Sequence, residues 1–434
     1  ELHAEVVIVG TGAGGATAGR QLAEAGIDVL FIEEGGYHPT SSFTPYLTES
    51  IPRLYRDAGA TVIFGRPPIP YIEGRCVGGS TVINGGMVWR TPEKILDDWQ
   101  RLTGDAELSA KGLDPFFEGM EKAIHAKEQH PVSKGYDNDL MARGPTQMGW
   151  QYETNRRNQD DCVGTNNCVF GCPTGAKQST LVSMMPQALK AGARCATEVR
   201  VEKLWIERGR CVGVIGKAVH PITRERNKTI KVRAENVIVA CGSVHTAHLL
   251  LQHRPARRSG LLGKNFLIHP NAKVLALYPQ EIKGWQGVSQ YGQTKEFSDE
   301  GIMLAANMIP PGALAGNLPF HGAKSWDLMA QYNHMVLSGV LVEDSQSGRI
   351  KRGPWDMPIP QYNISNYDHA RFLRGIRYLA EMHFEMGAEK VVLPFSNLHV
   401  IESPDELRAI ERTQVDPKTL ELFSVHLMGT ARMG

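Results

Sequence analysis

One histidine near the end of the sequence is placed where it can do acid–base chemistry. His426 precedes Leu427-Met428-Gly429-Thr430, a segment that can turn and hold the imidazole ring over a bound group. An unperturbed imidazole titrates near ~6.5, so it can take a proton from a substrate at neutral pH. Among the 15 histidines, His426 is therefore the candidate catalytic base, and a packing role is the alternative.

Three of the seven cysteines lie close together in a pattern that can bind a metal. Cys162, Cys168 and Cys172 form a C-x5-C-x3-C run that is followed by Pro173. Clustered thiolates suit soft metals, and a proline after the last cysteine is familiar from iron–sulfur loops. Zinc would lack an evident fourth ligand. Packed free thiols are the second interpretation.

A glycine-rich turn near the start of the chain has the spacing G-x-G-x-x-G of a dinucleotide site. Its residues are Gly10, Gly12, Ala13, Gly14 and Gly15. The first glycine permits a tight turn, the second lets the backbone approach a pyrophosphate, and the third allows close packing of helix and strand. Glu33, at the end of the next apolar run, can accept hydrogen bonds from an adenosine ribose. The motif alone does not decide between NAD and FAD.

The surrounding pattern supplies the elements that such a turn requires. Residues 6–9 and 29–32 are apolar runs typical of buried strands, and 16–25 has helical periodicity between them. This is the β-α-β context that the motif demands. A second strand, glycine turn and helix occupy 237–252, as a doubly wound sheet needs. Over 271–400 strands alternate with long Gly/Pro loops, which predicts a second, more antiparallel domain.

Length and composition exclude several classes of protein. The 434 residues predict two or three domains, and a hydrophobic share of 42% excludes a disordered chain. A net charge of +1 argues against a nucleic-acid partner. An odd number of cysteines does not fit a disulfide-stapled secreted domain, and no apolar run approaches the ~18–20 residues of a membrane span. With no secretory signal visible ahead of the first strand, we expect a cytoplasmic enzyme.

Three longer segments resemble signatures of one enzyme family. Residues 74–87 (GRCVGGSTVINGGM) resemble a signature of the glucose–methanol–choline (GMC) flavin oxidoreductases. Residues 240–250 (ACGSVHTAHLL) resemble the second signature more loosely, and residues 424–434 (SVHLMGTARMG) resemble the segment that carries the catalytic histidine. The three lie in family order across essentially the whole chain, with most similarity to the bacterial alcohol dehydrogenase and long-chain alcohol oxidase branch.

The resemblance implies that the dinucleotide is FAD. Its pyrophosphate would lie on residues 10–15, its ribose on Glu33, and its adenine against the backbone of Val199. Residues 78–87 would wrap the isoalloxazine ring, where bare glycine amides can reach its polar edge. The cofactor-binding residues implied beyond the glycine turn are Glu33, Gly78, Gly79, Ser80, Asn84, Gly85, Gly86, Met87, Val199 and Gly242.

The implied fold class is α/β. A Rossmann-like doubly wound FAD-binding domain would be joined to a second, α+β substrate domain with a mainly antiparallel sheet. On this division the FAD domain comprises 1–100, 176–268 and 424–434. The substrate domain comprises 101–175, with the cysteine-rich loop, and 269–423.

The resemblance also implies a reaction, the oxidation of a small-molecule alcohol to an aldehyde or ketone. His426 would take the hydroxyl proton while the adjacent carbon gives hydride to flavin N5. The alternatives are a redox-silent flavin-containing lyase of the same family, a sugar dehydrogenase subunit that passes electrons through an iron–sulfur cluster, and a non-catalytic or NAD(P)-binding protein. Long-chain, sterol-like and sugar alcohols are all open as substrates, and oxygen, a quinone or a cytochrome as the electron acceptor.

Two further expectations concern the cysteines and the chain end. The cysteine run is similar to that of catalytic subunits of some bacterial FAD sugar dehydrogenases, which carry a 3Fe-4S cluster on three cysteines. A cluster on Cys162, Cys168 and Cys172 would favour a membrane-associated or periplasmic setting. Family members continue past the histidine segment with a second active-site His or Asn, so we expect a chain truncated at its C-terminus.

Overall fold

Two large β-sheets form the framework of the protein, and a computed structural model describes residues 1–412 and 416–433 of it. Its strands are β1 Leu2–Val9, β2 Val29–Ile32, β3 Thr61–Ile63, β4 Ile69–Tyr71, β5 Ala126–Glu128, β6 Tyr152–Thr154, β7 Arg156–Asn158, β8 Arg194–Ala196, β9 Val199–Glu207, β10 Arg210–Val219, β11 Arg226–Val239, β12 Lys264–Phe266, β13 Asn271–Leu277, β14 Gly292–Thr294, β15 Ile302–Asn307, β16 Met335–Val342, β17 Gly348–Arg352, β18 Pro358–Gln361, β19 Lys390–Val392 and β20 Val400–Ile401. Its helices are α1 Ala13–Glu24, α2 Leu47–Leu54, α3 Ser80–Ile83, α4 Glu93–Thr103, α5 Ala110–Ala123, α6 Tyr136–Gln147, α7 Met184–Lys190, α8 Gly242–Leu250, α9 Pro311–Ala315, α10 Ala323–Met329, α11 Asn366–Glu385 and α12 Leu407–Arg412.

The first sheet has six strands in the order β8-β2-β1-β11-β10-β9. Strands β8, β2, β1 and β11 pair with one another in parallel, whereas β10 pairs antiparallel with β11 and β9 pairs antiparallel with β10. Alternate residues of β1 and β2 enter two different hydrophobic clusters, one on each face of the sheet. Burial on both faces explains the continuous apolar runs of these strands. The prediction of a Rossmann-like domain is confirmed.

Helix α1 begins at Ala13, earlier than the predicted 16–25, because the glycine turn is part of its first turn. Gly10 has a φ of +101°, which favours glycine. A Cβ atom on Gly15 would lie 2.1 Å from the carbonyl oxygen of Gly10. The helix can therefore start this close to β1 only where side chains are absent.

The second sheet has seven strands in the order β20-β19-β13-β16-β15-β14-β6, and all its pairings are antiparallel. Helix α11 covers one face, and Ser365 caps it by accepting from the backbone N of Asp368, at the predicted start. We call the opposite face, which carries Lys273, Gly339 and Asn307, the front face. The mainly antiparallel second domain is thus also confirmed.

The segment that contains His426 connects β4 with the second sheet. Backbone bridges join Ser424 to Tyr71 in β4, Phe423 to Asn271 in β13, and Met428 to Leu267. Gly434 lies outside the described residues. Within the part of the chain that the structure describes, no helix combines the length and apolar character needed to cross a bilayer.

Candidate active site

A cavity of about 340 Å³ opens where β1, β2 and β11 end. The expected cofactor-binding residues that line it are Gly10, Gly12, Ala13, Gly14, Glu33, Gly79, Ser80, Val199 and Gly242. The remaining ones, which do not line it, are Gly15, Gly78, Asn84, Gly85, Gly86 and Met87. The structure therefore brings the glycine turn, the start of the glycine loop, the Val199 strand and the start of α8 around one space.

The glycine turn presents bare backbone to this cavity. No atom lies within 4 Å of the place where a Cβ atom on Gly12 or Gly14 would be. A Cβ atom on Gly79, by contrast, would lie 3.1 Å from the Cα atom of Gly12, so the glycine loop closes on the turn. The open space beside the N-terminus of α1 fits the pyrophosphate of a dinucleotide, since helix N-termini favour anions.

Glu33 lines the cavity, and its carboxylate also accepts hydrogen bonds from neighbouring residues of the protein. One carboxylate oxygen accepts from the backbone N of Thr11 at 3.0 Å and from its Oγ1 at 2.7 Å, and the other accepts from the backbone N of Gly35 at 2.9 Å. Burial raises the pKa of Glu33, and these hydrogen bonds act in the opposite direction. Glu33 therefore shapes the turn through Thr11, which sequence analysis missed. Its contact with a ribose stays a prediction.

A buried network of ion pairs forms one wall of the cavity. Arg56 contacts Glu34 at 3.0 Å and Glu73 at 2.6 Å, Arg200 contacts Glu34 at 3.1 Å, and His245 contacts Glu73 at 2.9 Å. Burial alone would raise the pKa of both carboxyl groups, but the surrounding cations hold both below the usual value. No local motif predicts this network, because its members come from distant segments.

A buried lysine holds the glycine loop from the other side. Nζ of Lys177 donates to the carbonyl oxygens of Val82, Asn84 and Cys168, each at 2.7 Å. Burial lowers the pKa of Lys177 to about 8. The first two carbonyls lie at the end of α3, in the loop expected to wrap the isoalloxazine ring. Lys177 thus ties that loop to the cysteine-rich loop.

The three clustered cysteines line a second, small cavity next to Gly86. Nη2 of Arg157 donates to Sγ of Cys168 at 3.4 Å, and the backbone N of Lys177 donates to Sγ of Cys172 at 3.5 Å. All three are free thiols. Among the described residues, no group of three or more His, Cys, Asp or Glu side chains is arranged to hold a metal ion. The expectation of a 3Fe-4S cluster is therefore not supported.

His426 lies beside a second imidazole that sequence analysis did not single out. The ring centroids of His426 and His269 are 5.1 Å apart. Burial lowers the pKa of His426 below its usual value, with a smaller contribution from Lys273, and the backbone of His269 acts in the opposite direction. Burial and the neighbouring His426 lower the pKa of His269 to about 4. Both rings are thus neutral near pH 7, as a proton acceptor must be.

The front face of the second sheet carries a cation close to the histidine segment. Nζ of Lys273 donates to Oδ1 of Asn307 at 2.7 Å and lies 4.7 Å from the ring centroid of Phe423. Burial lowers the pKa of Lys273 to about 7. Sequence analysis missed Lys273, although a single cation within the otherwise mainly apolar strand β13 is a usable signal.

The sequence is similar to those of GMC-type oxidoreductases and long-chain-alcohol oxidases. Residues 51–271 match the family model described as GMC oxidoreductase. An uncharacterized GMC-type oxidoreductase of Sinorhizobium fredii is 30% identical over 445 residues, which cover 100% of this chain and 85% of the relative. A long-chain-alcohol oxidase of Arabidopsis thaliana is 23% identical over 468 residues, which cover 100% of this chain and 60% of that protein.

Solved structures share the fold. Pyridoxine 4-oxidase from Mesorbium loti aligns with a TM-score of 0.74 and 16% identity over 99% of this chain and 89% of that chain. A formate oxidase variant of Aspergillus oryzae aligns with a TM-score of 0.67 and 16% identity over 99% of this chain and 89% of that chain. At such identities the likeness concerns the fold alone.

Proposed function

Because this chain belongs to the GMC oxidoreductase family, whose members include FAD-dependent enzymes acting on CH–OH donors, we propose that it oxidises an alcohol to an aldehyde or ketone. The observation that carries the proposal is the place of His426: its neighbours Val425 and Leu427 line the cavity, and Lys273 of the front face contributes to the low pKa of its ring. The substrate would enter between these two surfaces.

The residues around the large cavity support the binding of FAD. The bare amides at Gly12 and Gly14 would hold its pyrophosphate, Val199 would meet its adenine, and the glycine loop would reach its ring system. When bound, the flavin supplies the acceptor for the two electrons and the hydrogen that leave the substrate carbon. The formate oxidase that shares this fold contains FAD, so the fold is compatible with the same cofactor here.

The chain's own contribution to the reaction is the handling of the hydroxyl proton. We assign the base to His426, which accepts that proton as the carbon–oxygen bond gains double-bond character. Ser243 supports the position of the ring, because its Oγ donates to the carbonyl oxygen of Leu427 at 2.6 Å. His269 packs beside the ring and restricts its motion.

We also propose the substrate class and the division of the chain. Long-chain alcohols are the first class to test, because long-chain-alcohol oxidases of Arabidopsis thaliana match along this chain. The proposed FAD-binding domain is 1–100, 176–268 and 424–434, and the proposed substrate domain is 101–175 and 269–423. The pairing of β6 with β14 in the second sheet supports the assignment of 101–175 to the substrate domain.

An anaerobic absorbance experiment tests the function. The visible spectrum of the purified protein would be recorded before and after addition of long-chain, sugar and pyridoxine-type alcohols. We expect flavin bands that one class bleaches. Flavin bands that no alcohol bleaches would contradict alcohol oxidation and favour the lyase, and the absence of flavin would contradict the assignment of the cofactor. A broad absorbance beneath the flavin bands would indicate an iron–sulfur cluster after all.

A further inference from the structure

We propose that Lys273 is a further catalytic residue, whose ammonium group binds the substrate oxygen while His426 removes the hydroxyl proton. This inference rests on the proposed function and adds a residue of the front face to it.

Lys273 has a donor to spare. An ammonium group carries three N–H donors. One is used by Oδ1 of Asn307 at 2.7 Å, and a second can point at the ring of Phe423, whose centroid is 4.7 Å from Nζ. Within the described part of the chain, no carboxylate contributes to the electrostatics of Lys273. An unpaired buried cation is costly, so a partner from outside the chain would stabilise it.

The residues around Lys273 leave space for its ammonium group. A Cβ atom on Gly339, opposite Lys273 in β16, would lie 2.7 Å from Nδ2 of Asn307 and 3.0 Å from Nζ of Lys273. The glycine at this position therefore makes room for the pair. Lys273 also keeps some accessible surface although it lies deep in the protein, which indicates that it borders an internal space.

Lys273 links the histidine segment to the glycine loop. Phe423, which it contacts, precedes His426 in the same segment. On the other side, Nε2 of Gln290 donates to Oδ1 of Asn307 at 3.2 Å, and a Cβ atom on Gly85 would lie 2.7 Å from Oε1 of Gln290. The ammonium group is thus placed between the proposed base and the loop proposed to hold the flavin ring.

This position suits the charge that develops in the reaction. As the hydroxyl proton passes to His426, negative charge would build on the substrate oxygen, and the loss of hydride from the carbon to the bound cofactor would remove it. A preorganised cation in a site that excludes water stabilises that charge. The substrate loses one proton and one hydride, and the carbonyl product leaves with no covalent bond to Lys273.

The test compares Lys273→Met with Lys390→Met. Lys390 lies on the neighbouring strand β19 in an exposed ion pair with Glu402, so its variant controls for the loss of a lysine from the same sheet. Anaerobic stopped-flow would measure the rate of flavin reduction by the best alcohol. We expect Lys273→Met to be about 10²–10³-fold slower, the loss typical of one oxyanion donor, and Lys390→Met to match the wild type. A wild-type rate in Lys273→Met would overturn the proposal.

Two readouts do not depend on turnover. Acetate, a small oxygen anion, would be titrated into the resting protein while the flavin spectrum is recorded, and we expect about ten- to hundredfold weaker binding to Lys273→Met. The melting temperature of Lys273→Met should stay unchanged or rise, because a buried charge is replaced by an apolar side chain. Equal acetate binding, or a clear loss of stability together with an unchanged rate, would contradict the proposal.

Asn307→Asp provides a second variant of nearly unchanged shape. Its carboxylate would pair with the ammonium group and weaken the hold on the substrate oxygen, so reduction should slow by at least about tenfold. This variant decides the matter if Lys273→Met does not retain flavin, and an unchanged rate would then overturn the proposal. Wild-type flavin that no alcohol reduces contradicts the proposed function instead, and the acetate titration still reports on Lys273.

Discussion

Two neutral imidazoles, rather than one, lie where the cavity and the front face approach each other. His426 and His269 are both half-buried, and burial is the largest cause of the low pKa of each ring. The pKa of His269, at about 4, makes it the weaker base of the two. His426 is therefore the side chain whose proton affinity suits proton removal near neutral pH.

Replacement of His426 tests this assignment. We expect His426→Ala to lower the rate of flavin reduction by about 10²–10⁴-fold, the usual contribution of a general base, while flavin stays bound. His3→Ala, at an exposed position of β1, is the matched control and should keep the wild-type rate. Should His269→Asn lose more activity than His426→Ala, the two roles would have to be exchanged.

The pH dependence of flavin reduction follows from the same residues. The rate should rise through an apparent pKa below 6.5, because His426 must be neutral to accept a proton. It should fall above about 7, where Lys273 loses its charge. The other titratable groups facing this pair are His269, neutral above about 4, and Asp344, which accepts from the backbone N of His269 at 2.7 Å. A flat profile between pH 5 and 9 would contradict both assignments, and Lys273→Met should lose only the alkaline limb.

The first turn of α1 is the element on which cofactor binding depends. Its glycines serve different purposes. Gly10 and Gly15 are required by packing, because side chains there would overlap backbone atoms, whereas Gly12 faces open space. Gly12 is also the N-cap residue of α1, with a φ of −67° that any residue can adopt.

Gly12→Ala therefore separates binding from folding. The variant should fold normally and yet lose flavin, because the added methyl group occupies space proposed for the pyrophosphate. Flavin content after gel filtration and the far-UV circular dichroism spectrum would be measured together. Gly119→Ala, within α5 and without neighbours in the 4 Å shell, is the control and should keep its flavin. Full flavin content in Gly12→Ala would place the pyrophosphate elsewhere.

At the scale of the whole molecule, the buried ion pairs join five separate parts of the chain, one of which is β9 with Arg200. Arg56 follows α2, Glu34 follows β2, Glu73 precedes the glycine loop, and His245 belongs to α8. Each group is buried or nearly so, and each needs its partners because an unpaired buried charge is costly. The network therefore fixes the walls of the cavity relative to one another.

Replacement of Arg56 tests how far the stability of the fold depends on this network. We expect Arg56→Met to lose roughly 3–5 kcal/mol of stability at pH 7, because Glu34 and Glu73 lose a shared cation. In the wild type the pKa values of both carboxyl groups lie below the usual range. The ion pairs therefore stabilise the fold above about pH 4.5 and lose this effect as the pH falls further.

The change in stability would be measured as the urea midpoint of unfolding at pH 7 and at pH 5. In Arg56→Met the loss of the shared cation should raise the pKa of both carboxyl groups, although Arg200 and His245 still face them. Protonation at pH 5 should therefore narrow the deficit in stability. Arg101→Met, which breaks an exposed pair with Asp98, should leave the midpoint unchanged. A deficit that stays the same at both pH values would indicate that Arg56 acts through packing alone.

Local sequence determined the parts of this protein whose signals lie among neighbouring residues. The β-α-β unit, the glycine turn and the capped start of α11 were all predictable, because apolar periodicity, glycine spacing and capping act over a few residues. Boundaries were less certain, since the glycines at 12–15 read as a loop although Gly14 and Gly15 lie in the first turn of α1. The cysteine run shows the limit of spacing alone, because spacing does not fix the directions of the thiols.

Only the tertiary structure decided which charges are buried and what they meet. Lys177 reaches the carbonyls of Val82 and Asn84, Lys273 pairs with Asn307, and Arg56 joins Glu34 to Glu73. These partners lie far apart in the sequence, and each side chain is unremarkable in its own segment. Burial is what changes their chemistry, because removal from water alters the free energy of a charge more than any neighbour in sequence does.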